Sequence, residues 1–180
     1  SGIGSQTSGT VTAASSGITI SGSTSELTAA LVTSSSKVVA SNASVTINDA
    51  ASSSITASDL SAIGAKTGGT VTAASGGITI SGSDSELIAA LHTGSSKVVA
   101  GSATINVTGT ASVTNMGNIV DKTSSTVSYS LSDTASAIDG ASTSLLNGAT
   151  NITATDDGGS SGSTVDLDNM TSVANTSTIT

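Results

Sequence analysis

The chain of 180 residues carries 39 Ser, 30 Thr and 20 Gly, with one aromatic residue, Tyr129, and no Pro, Cys or Arg. Its formal charge of −8 excludes binding of nucleic acid through a basic surface and disfavours anionic membranes, while the lack of Cys excludes disulfides and thiolate metal sites. Only 9% of residues are charged and 36% are hydrophobic, which favours a thin folded core of Val, Ile, Leu and Ala over disorder.

The predicted elements are organised by an internal duplication. Segments 9–40 and 69–100 are identical at 27 of 32 positions, which is far beyond chance. The similarity continues more weakly, and the second copy is shorter by four residues. The sequence therefore predicts one repeat array over 1–180, with units at about 9–68 and 69–124 and a degenerate third unit at 125–180.

The ends of the array predict how it continues. Residues 1–7 align with 61–67, so we expect the chain to begin inside a motif and to be a window cut from a longer array. Repeat arrays need polar caps at their ends, and neither end of this chain resembles one. The alternative is that coils of separate chains stack end to end in a filament.

Each unit begins with a strand that is followed by a short helix. In segment 18–20 the isoleucines point to one side and Thr19 to the other. The next residues, Ser23 to Glu26, have the Ser-x-x-Glu pattern of a capping box, and Ser83 to Glu86 repeat it. Apolar residues then recur at spacings of three and four, which predicts one buried stripe: Leu27, Ala30 and Leu31.

The second half of the unit repeats this order. Segment 37–40 leads through a turn to a strand at 45–47, and a second helix starts near Thr56 or Ser58 with Leu60 and Ile63 on its inner face. A strand at 70–72 follows. Because helices this short are marginal alone, they must pack on a sheet, and a coil recurs every 26 to 33 residues or so.

This order predicts an α/β solenoid. Stacked strand-helix-strand coils would form parallel sheets with an outline like that of a leucine-rich repeat. The alternative is a β-solenoid without regular helices.

No residue pattern indicates catalysis. His92 is the sole histidine, and Val32 occupies its place in the first copy, which favours a partly exposed helix position over a general base. The capping pattern explains Glu26 and Glu86, and no glycine-rich phosphate loop is present. A polysaccharide lyase or hydrolase would need a cluster of acids with a basic residue, which the sequence lacks. We therefore expect a protein that is not an enzyme.

One acidic segment has the composition of a calcium site. It places carboxylates between flexible glycines and supplies the hard oxygen ligands that Ca²⁺ prefers, although its spacing differs from that of an EF-hand. The acidic surface loop is the simpler alternative. The candidate ligands are Asp156, Asp157, Asp166 and Asp168.

Outward threonines indicate a second kind of site. Thr10 with Thr12, and Thr70 with Thr72, form Thr-x-Thr pairs on strands, and ladders of such pairs are typical of ice-binding solenoids. Other coils carry Lys-Val-Val-Ala instead, which interrupts the ladder. Threonine is also well suited to the solvent side of any strand, so both interpretations stay open.

The repeats resemble the Ser/Thr/Ala-rich repeats of giant bacterial surface and secreted proteins of the adhesin-like, S-layer-like and RTX-associated kinds, notably from cyanobacteria and proteobacteria. The segments that carry this resemblance are VTINDA at 45–50, ASDLSAIGAKT at 57–67, SLSDTASAI at 130–138 and LNGATNITATD at 146–156. The resemblance implies export, calcium-dependent folding or assembly, and a structural or adhesive role.

These observations together predict a structural repeat segment of an exported cell-surface, S-layer or filament-forming protein. Its partners would be copies of itself or adjacent repeats of the same chain, with no nucleic acid and no membrane span, and its location would be extracellular or at the cell surface. Calcium is the one cofactor expected. The alternative is an adhesin that recognises glycan, mineral or ice through its outward Ser/Thr face.

Overall fold

The structure, a computed structural model, describes residues 6–13, 17–73, 76–155 and 178–179. Its strands form parallel sheets that alternate along the chain with short helices. The fold is therefore of the α/β class, as the sequence predicts, and the presence of helices excludes the helix-free alternative.

The strands are short, as expected for a chain rich in Ser, Thr and Gly. Most hold two to four residues, and two of them are longer. Their bounds are β1 Val11–Thr12, β2 Thr19–Gly22, β3 Val38–Val39, β4 Ser44–Ile47, β5 Ser54–Thr56, β6 Val71–Thr72, β7 Thr79–Gly82, β8 Val98–Val99, β9 Thr104–Ala111, β10 Val127–Asp133, β11 Asn151–Ala154 and β12 Thr178–Ile179.

Five of the six described α-helices begin one or two residues after a strand ends, and the sixth ends three residues before a strand begins. Two α-helices continue without a break into π-helices, and one continues into a 3₁₀ turn at Val120–Lys122. The bounds are α1 Thr24–Leu27 with the π-helix Thr28–Val32, α2 Ala57–Gly64, α3 Asp84–Leu87 with the π-helix Ile88–His92, α4 Val113–Ile119, α5 Ala135–Asp139 and α6 Thr143–Gly148.

The described strands form three parallel sheets. Their strand orders are β1-β3, β2-β4-β6-β8, and β5-β7-β9-β10-β11-β12. From β2 to β9 the paired residues lie 25 to 27 positions apart, as in Thr19 with Ser44 and Val71 with Val98. Parallel pairing requires the chain to cross back between strands, and the helices lie within these crossings.

One buried cluster of aliphatic side chains extends through the described chain. Rows of side chains on neighbouring strands build it, because register places like residues beside one another. Ile55, Ile80 and Ile105 form such a row, and all three are buried. On the helices, Leu60 and Ile63 are fully buried, which confirms the predicted inner face of α2.

The single aromatic residue belongs to this core. Tyr129 on β10 is buried, and its Oη donates a hydrogen bond of 2.6 Å to the carbonyl oxygen of Leu145 on α6. Burial raises the pKa of its phenol above the usual value. A side chain at Gly148 would collide with the Tyr129 ring, so the glycine makes room for the one large residue.

None of the helices in the described part of the chain has the length and apolar character needed to cross a membrane.

Candidate functional site

Both predicted capping boxes are present. In the first box, the backbone amide and Oγ of Ser23 donate to Glu26 Oε2 at 2.9 and 3.0 Å, and the Glu26 amide donates back to Ser23 Oγ at 3.3 Å. Ser83 and Glu86 make the same contacts in the second box. The amide of the capping serine is the largest cause that holds the pKa of each glutamate below its usual value.

Other carboxylates connect helix starts in neighbouring parts of the fold. Asp49 Oδ2 accepts from the amide and the hydroxyl of Thr24, both at 2.7 Å. Asp133 Oδ2 accepts from the amide of Val113 at 3.0 Å. In both cases the carboxylate accepts from a free amide in the first turn of a helix to which it does not belong. Asp49 therefore has a defined structural role.

The acidic residues collect at the helix N-termini. Asp59, Asp84 and Glu86 lie in the first turns of helices, as Glu26 does. Asp49 lies beside a first turn because its carboxylate accepts from Thr24 at the start of α1. The described exceptions are Asp121, in the 3₁₀ turn, and Asp139, at the end of α5. Because α2 to α5 each follow the carboxyl end of a strand in the six-stranded sheet, their N-termini lie at one edge of that sheet. A shared groove places the N-terminus of α1 beside that of α2. We define the acidic edge as Glu26, Asp49, Asp59, Asp84 and Glu86.

The lysines lie at the opposite ends of the helices. Lys37 and Lys97 follow the π-helices, and Lys66 follows α2. Lys122 ends the 3₁₀ turn after α4. The two charge signs therefore lie at opposite ends of the helical layer.

Two similar grooves lie beside lysines. The first has a volume of about 340 Å³ and is lined by Leu31, Lys37, Val39 and Lys66 among others. The second has a volume of about 520 Å³, and its lining includes the equivalents Leu91, Lys97 and Val99. His92, at the equivalent of Val32, is exposed and lines the second groove.

The strands beside these grooves expose apolar side chains. Val39 on β3 is 41% exposed and Val99 on β8 is 49% exposed. Both strands lie at the ends of their described sheets. Lys37 and Lys97 precede them with φ of 56°, a left-handed conformation that costs a residue other than glycine about 1 kcal/mol or more. We define the lysine edge as Lys37, Val39, Lys66, Lys97 and Val99.

Outward hydroxyl and amide side chains form a third surface on the six-stranded sheet. Strand register places Thr56, Ser81, Asn106 and Ser128 in one row across four strands. Direct bonds join some of these side chains across neighbouring strands, as between the hydroxyls of Ser54 and Ser81 at 3.2 Å. Rows of this kind are spaced by about 4.8 Å between strands and about 6.6 Å along a strand. We call this surface the hydroxyl face.

The predicted Thr-x-Thr pairs lie elsewhere. Thr12 on β1 pairs with Val39, and Thr72 on β6 lies between Thr46 and Val99. Each row of outward threonines therefore ends at a valine, as the Lys-Val-Val-Ala segments predict. The longer polar rows of the hydroxyl face come from single Ser, Thr and Asn residues in different strands, which no local motif marks.

The four calcium candidates, Asp156, Asp157, Asp166 and Asp168, lie outside the described residues. Within the described ranges no group of three or more His, Asp or Glu side chains is arranged to hold a metal ion. The calcium site therefore stays a prediction from the sequence.

No family model matches the chain, and no characterised protein and no solved structure shows significant similarity to it.

Proposed function

We propose that the chain is a structural segment of an exported cell-surface, S-layer or filament-forming protein, built as a solenoid of stacked strand-helix coils, and that it performs no catalysis. The observation that carries the proposal is the parallel pairing of short strands at steps of 25 to 27 residues from β2 to β9. A fold that grows by adding one coil beside the last can extend in one direction without a new core.

The chemistry of the side chains supports this function. The described carboxylates that a catalytic hypothesis would use first, Glu26 and Glu86, are committed to capping boxes. Asp49 and Asp133 are committed to helix starts in other coils. These carboxylates connect successive coils, which supports a structural role as a spacer, coat or fibre.

Imaging tests the proposal. The full chain would be concentrated in steps and examined by sedimentation velocity and electron microscopy, with and without a calcium chelator. We expect linear or planar arrays at high concentration, because a structural segment must contact further copies or repeats. Monomers at every concentration and in both solutions would contradict the proposal. Arrays that dissociate in chelator would support the predicted calcium site.

A second candidate function is adhesion through the hydroxyl face, and the row from Thr56 to Ser128 favours it. A flat polar row presents donors and acceptors to a glycan or mineral. The test is binding to immobilised polysaccharides by the double variant Asn106→Lys/Ser128→Lys. The matched control is Thr19→Lys/Ser44→Lys on the four-stranded sheet, where the two residues are also register neighbours. Selective loss of binding in the first variant would support adhesion, and equal binding by both would contradict it.

A further inference from the structure

The helical layer has two edges of opposite charge. The acidic edge gathers five carboxylates at helix N-termini, and the lysine edge gathers three of the four lysines of the chain beyond helix C-termini. The α1 and π-helix pair of nine residues separates the edges by roughly 12 Å. A molecule of net charge −8 thus presents a local positive strip that an acidic partner would recognise.

The lysine edge also has apolar surface to bury. Val39 and Val99 are two of the three large exposed hydrophobic residues in the described chain. They lie beside grooves lined by Leu31 and Leu91. Burial of these two side chains would add an apolar contribution to a contact made through the lysines.

The lysines keep their places at a conformational cost. Lys37 and Lys97 both have φ of 56°, where glycine or asparagine would be less strained. Lys37 Nζ donates to the carbonyl oxygen of Thr7 at 3.0 Å. The same left-handed turn thus places a lysine beside each of the two grooves.

The acidic edge complements the lysine edge in charge and also carries a groove. An open groove of about 480 Å³ lies between the first helix and α2, and its lining includes Asp49, Asp59, Thr24 and Thr56. Glu26 and Glu86 are fully exposed near it and on the equivalent helix. Lys37 with Lys97, and Glu26 with Glu86, occupy equivalent positions in the two copies of the repeat. Because α2 lies between α1 and α3 in the chain, Glu26 and Glu86 are two helix spacings apart, or roughly 16–20 Å at ordinary packing distances.

We propose that the lysine edge of one copy docks on the acidic edge of a second copy. The inference rests on the proposed structural function and names its contact surfaces. Because the two surfaces differ, each copy keeps one free edge of each kind after docking, and the contact is heterologous. Such a contact extends the assembly side by side, across the direction in which coils stack.

The test compares self-association of the full chain with that of Lys37→Gln/Lys97→Gln by sedimentation velocity. The matched control, Asn106→Asp/Asn151→Asp, changes the net charge by the same two units on exposed residues of the hydroxyl face. Exposed ion pairs are individually weak, so we expect the lysine variant to associate about tenfold more weakly and the control to stay within about twofold of the wild type. Added salt should weaken the wild-type contact.

Cross-linking identifies the contact without any substitution. A carbodiimide joins lysine to a carboxylate in direct contact, and a mixture of normal and heavy-nitrogen chains marks links between copies. We expect mixed-isotope links from Lys37 or Lys97 to carboxylates of the acidic edge. Links to other carboxylates only would overturn the proposal.

The outcomes separate the two proposals. Wild-type chains that never associate would contradict both the structural function and the docking. Arrays that form equally well with Lys37→Gln/Lys97→Gln would overturn the docking alone. Equal weakening of the lysine variant and its control would also overturn it, because net charge would then explain the effect.

Discussion

Gly64 marks the closest approach between two parts of the chain. It is the last residue of α2 and is buried, and a Cβ at this position would collide with the backbone carbonyl oxygen of Ser96. Ser96 lies in the turn that leads to Lys97 and β8, so Gly64 sets how closely α2 packs against the lysine edge. Gly117 in α4 is the opposite case, because a Cβ there would meet nothing within 4 Å.

These two glycines predict opposite effects of one substitution. We expect Gly64→Ala to destabilise the fold by about 1–3 kcal/mol, because a backbone atom has to move away from the new methyl group. Gly117→Ala is the control and should stabilise the fold by up to about 1 kcal/mol, since alanine is the better helix former. Urea denaturation of both variants measures the two changes. A stability gain in Gly64→Ala would show that the contact with Ser96 is looser than described.

At the scale of elements, the start of a helix is the feature that the sequence predicts best. The Ser-x-x-Glu pattern predicts both capping boxes because each depends on hydrogen bonds between residues three positions apart. The continuation into a π-helix has no such local mark. It appears in the bond from the Thr33 amide to the Thr28 carbonyl at 3.0 Å and in the same bond from Thr93 to Ile88.

The candidate surfaces were harder to predict, because their members are distant in sequence. Lys37 and Lys66 line one groove, yet 29 positions separate them in the sequence. The row of Ser81 and Asn106 likewise depends on register between strands. Sequence periodicity predicts that strands stack in parallel, but it does not specify which outward residues become neighbours.

The capping boxes predict how stability depends on pH. Glu26 and Glu86 have lowered pKa values in the folded chain, so the unfolded chain takes up their protons first as the pH falls. Their contribution is complete above the ordinary glutamate pKa of 4.5 and is lost as the pH falls through the lowered values. We expect Glu26→Gln/Glu86→Gln to lose less stability than the wild type between pH 5 and about pH 3. Thermal unfolding across this range measures the slopes.

The matched control for this measurement is Asn106→Gln. Asn106 is exposed on β9, and the substitution exchanges one uncharged amide for another. The stability of this variant should therefore depend on pH as that of the wild type does. Identical slopes for Glu26→Gln/Glu86→Gln and the wild type would contradict a role for the capping boxes in acid stability.

At the scale of the whole molecule, strand pairing joins segments that are close to one another in the sequence. The described strand pairs join residues between 20 and 27 positions apart. The buried cluster is continuous, but each part of it is formed by adjacent crossings of the chain. A substitution that disrupts one part of the fold should therefore affect only the strands and helices near it, because no described strand pair joins the two ends of the chain.

Hydrogen exchange tests this locality. Ile152 on β11 is 1% exposed. The substitution Ile152→Ala should lower the free energy of unfolding of the surrounding region by about 2–5 kcal/mol. We expect amides of β10, β11 and α6 to lose protection, while those of β4 and α2 keep theirs. The control is Asn151→Ala, an exposed neighbour on the same strand, which should leave both regions unchanged. Uniform loss of protection in Ile152→Ala would instead show that the fold opens as one unit.

The pairing of β9 with β10 has a consequence for the kind of ligand that the hydroxyl face suits. Asn106 faces Ser128 and Thr110 faces Ser130, so β9 holds two more residues than β10 between these points, with Gly109 at φ of 78°. The outward rows of β9 and β10 are therefore displaced by two residues beyond this point. A rigid ice or mineral lattice matches the row spacing on only one side of such a register shift. The adhesion proposed above therefore favours a glycan, which bends at its linkages.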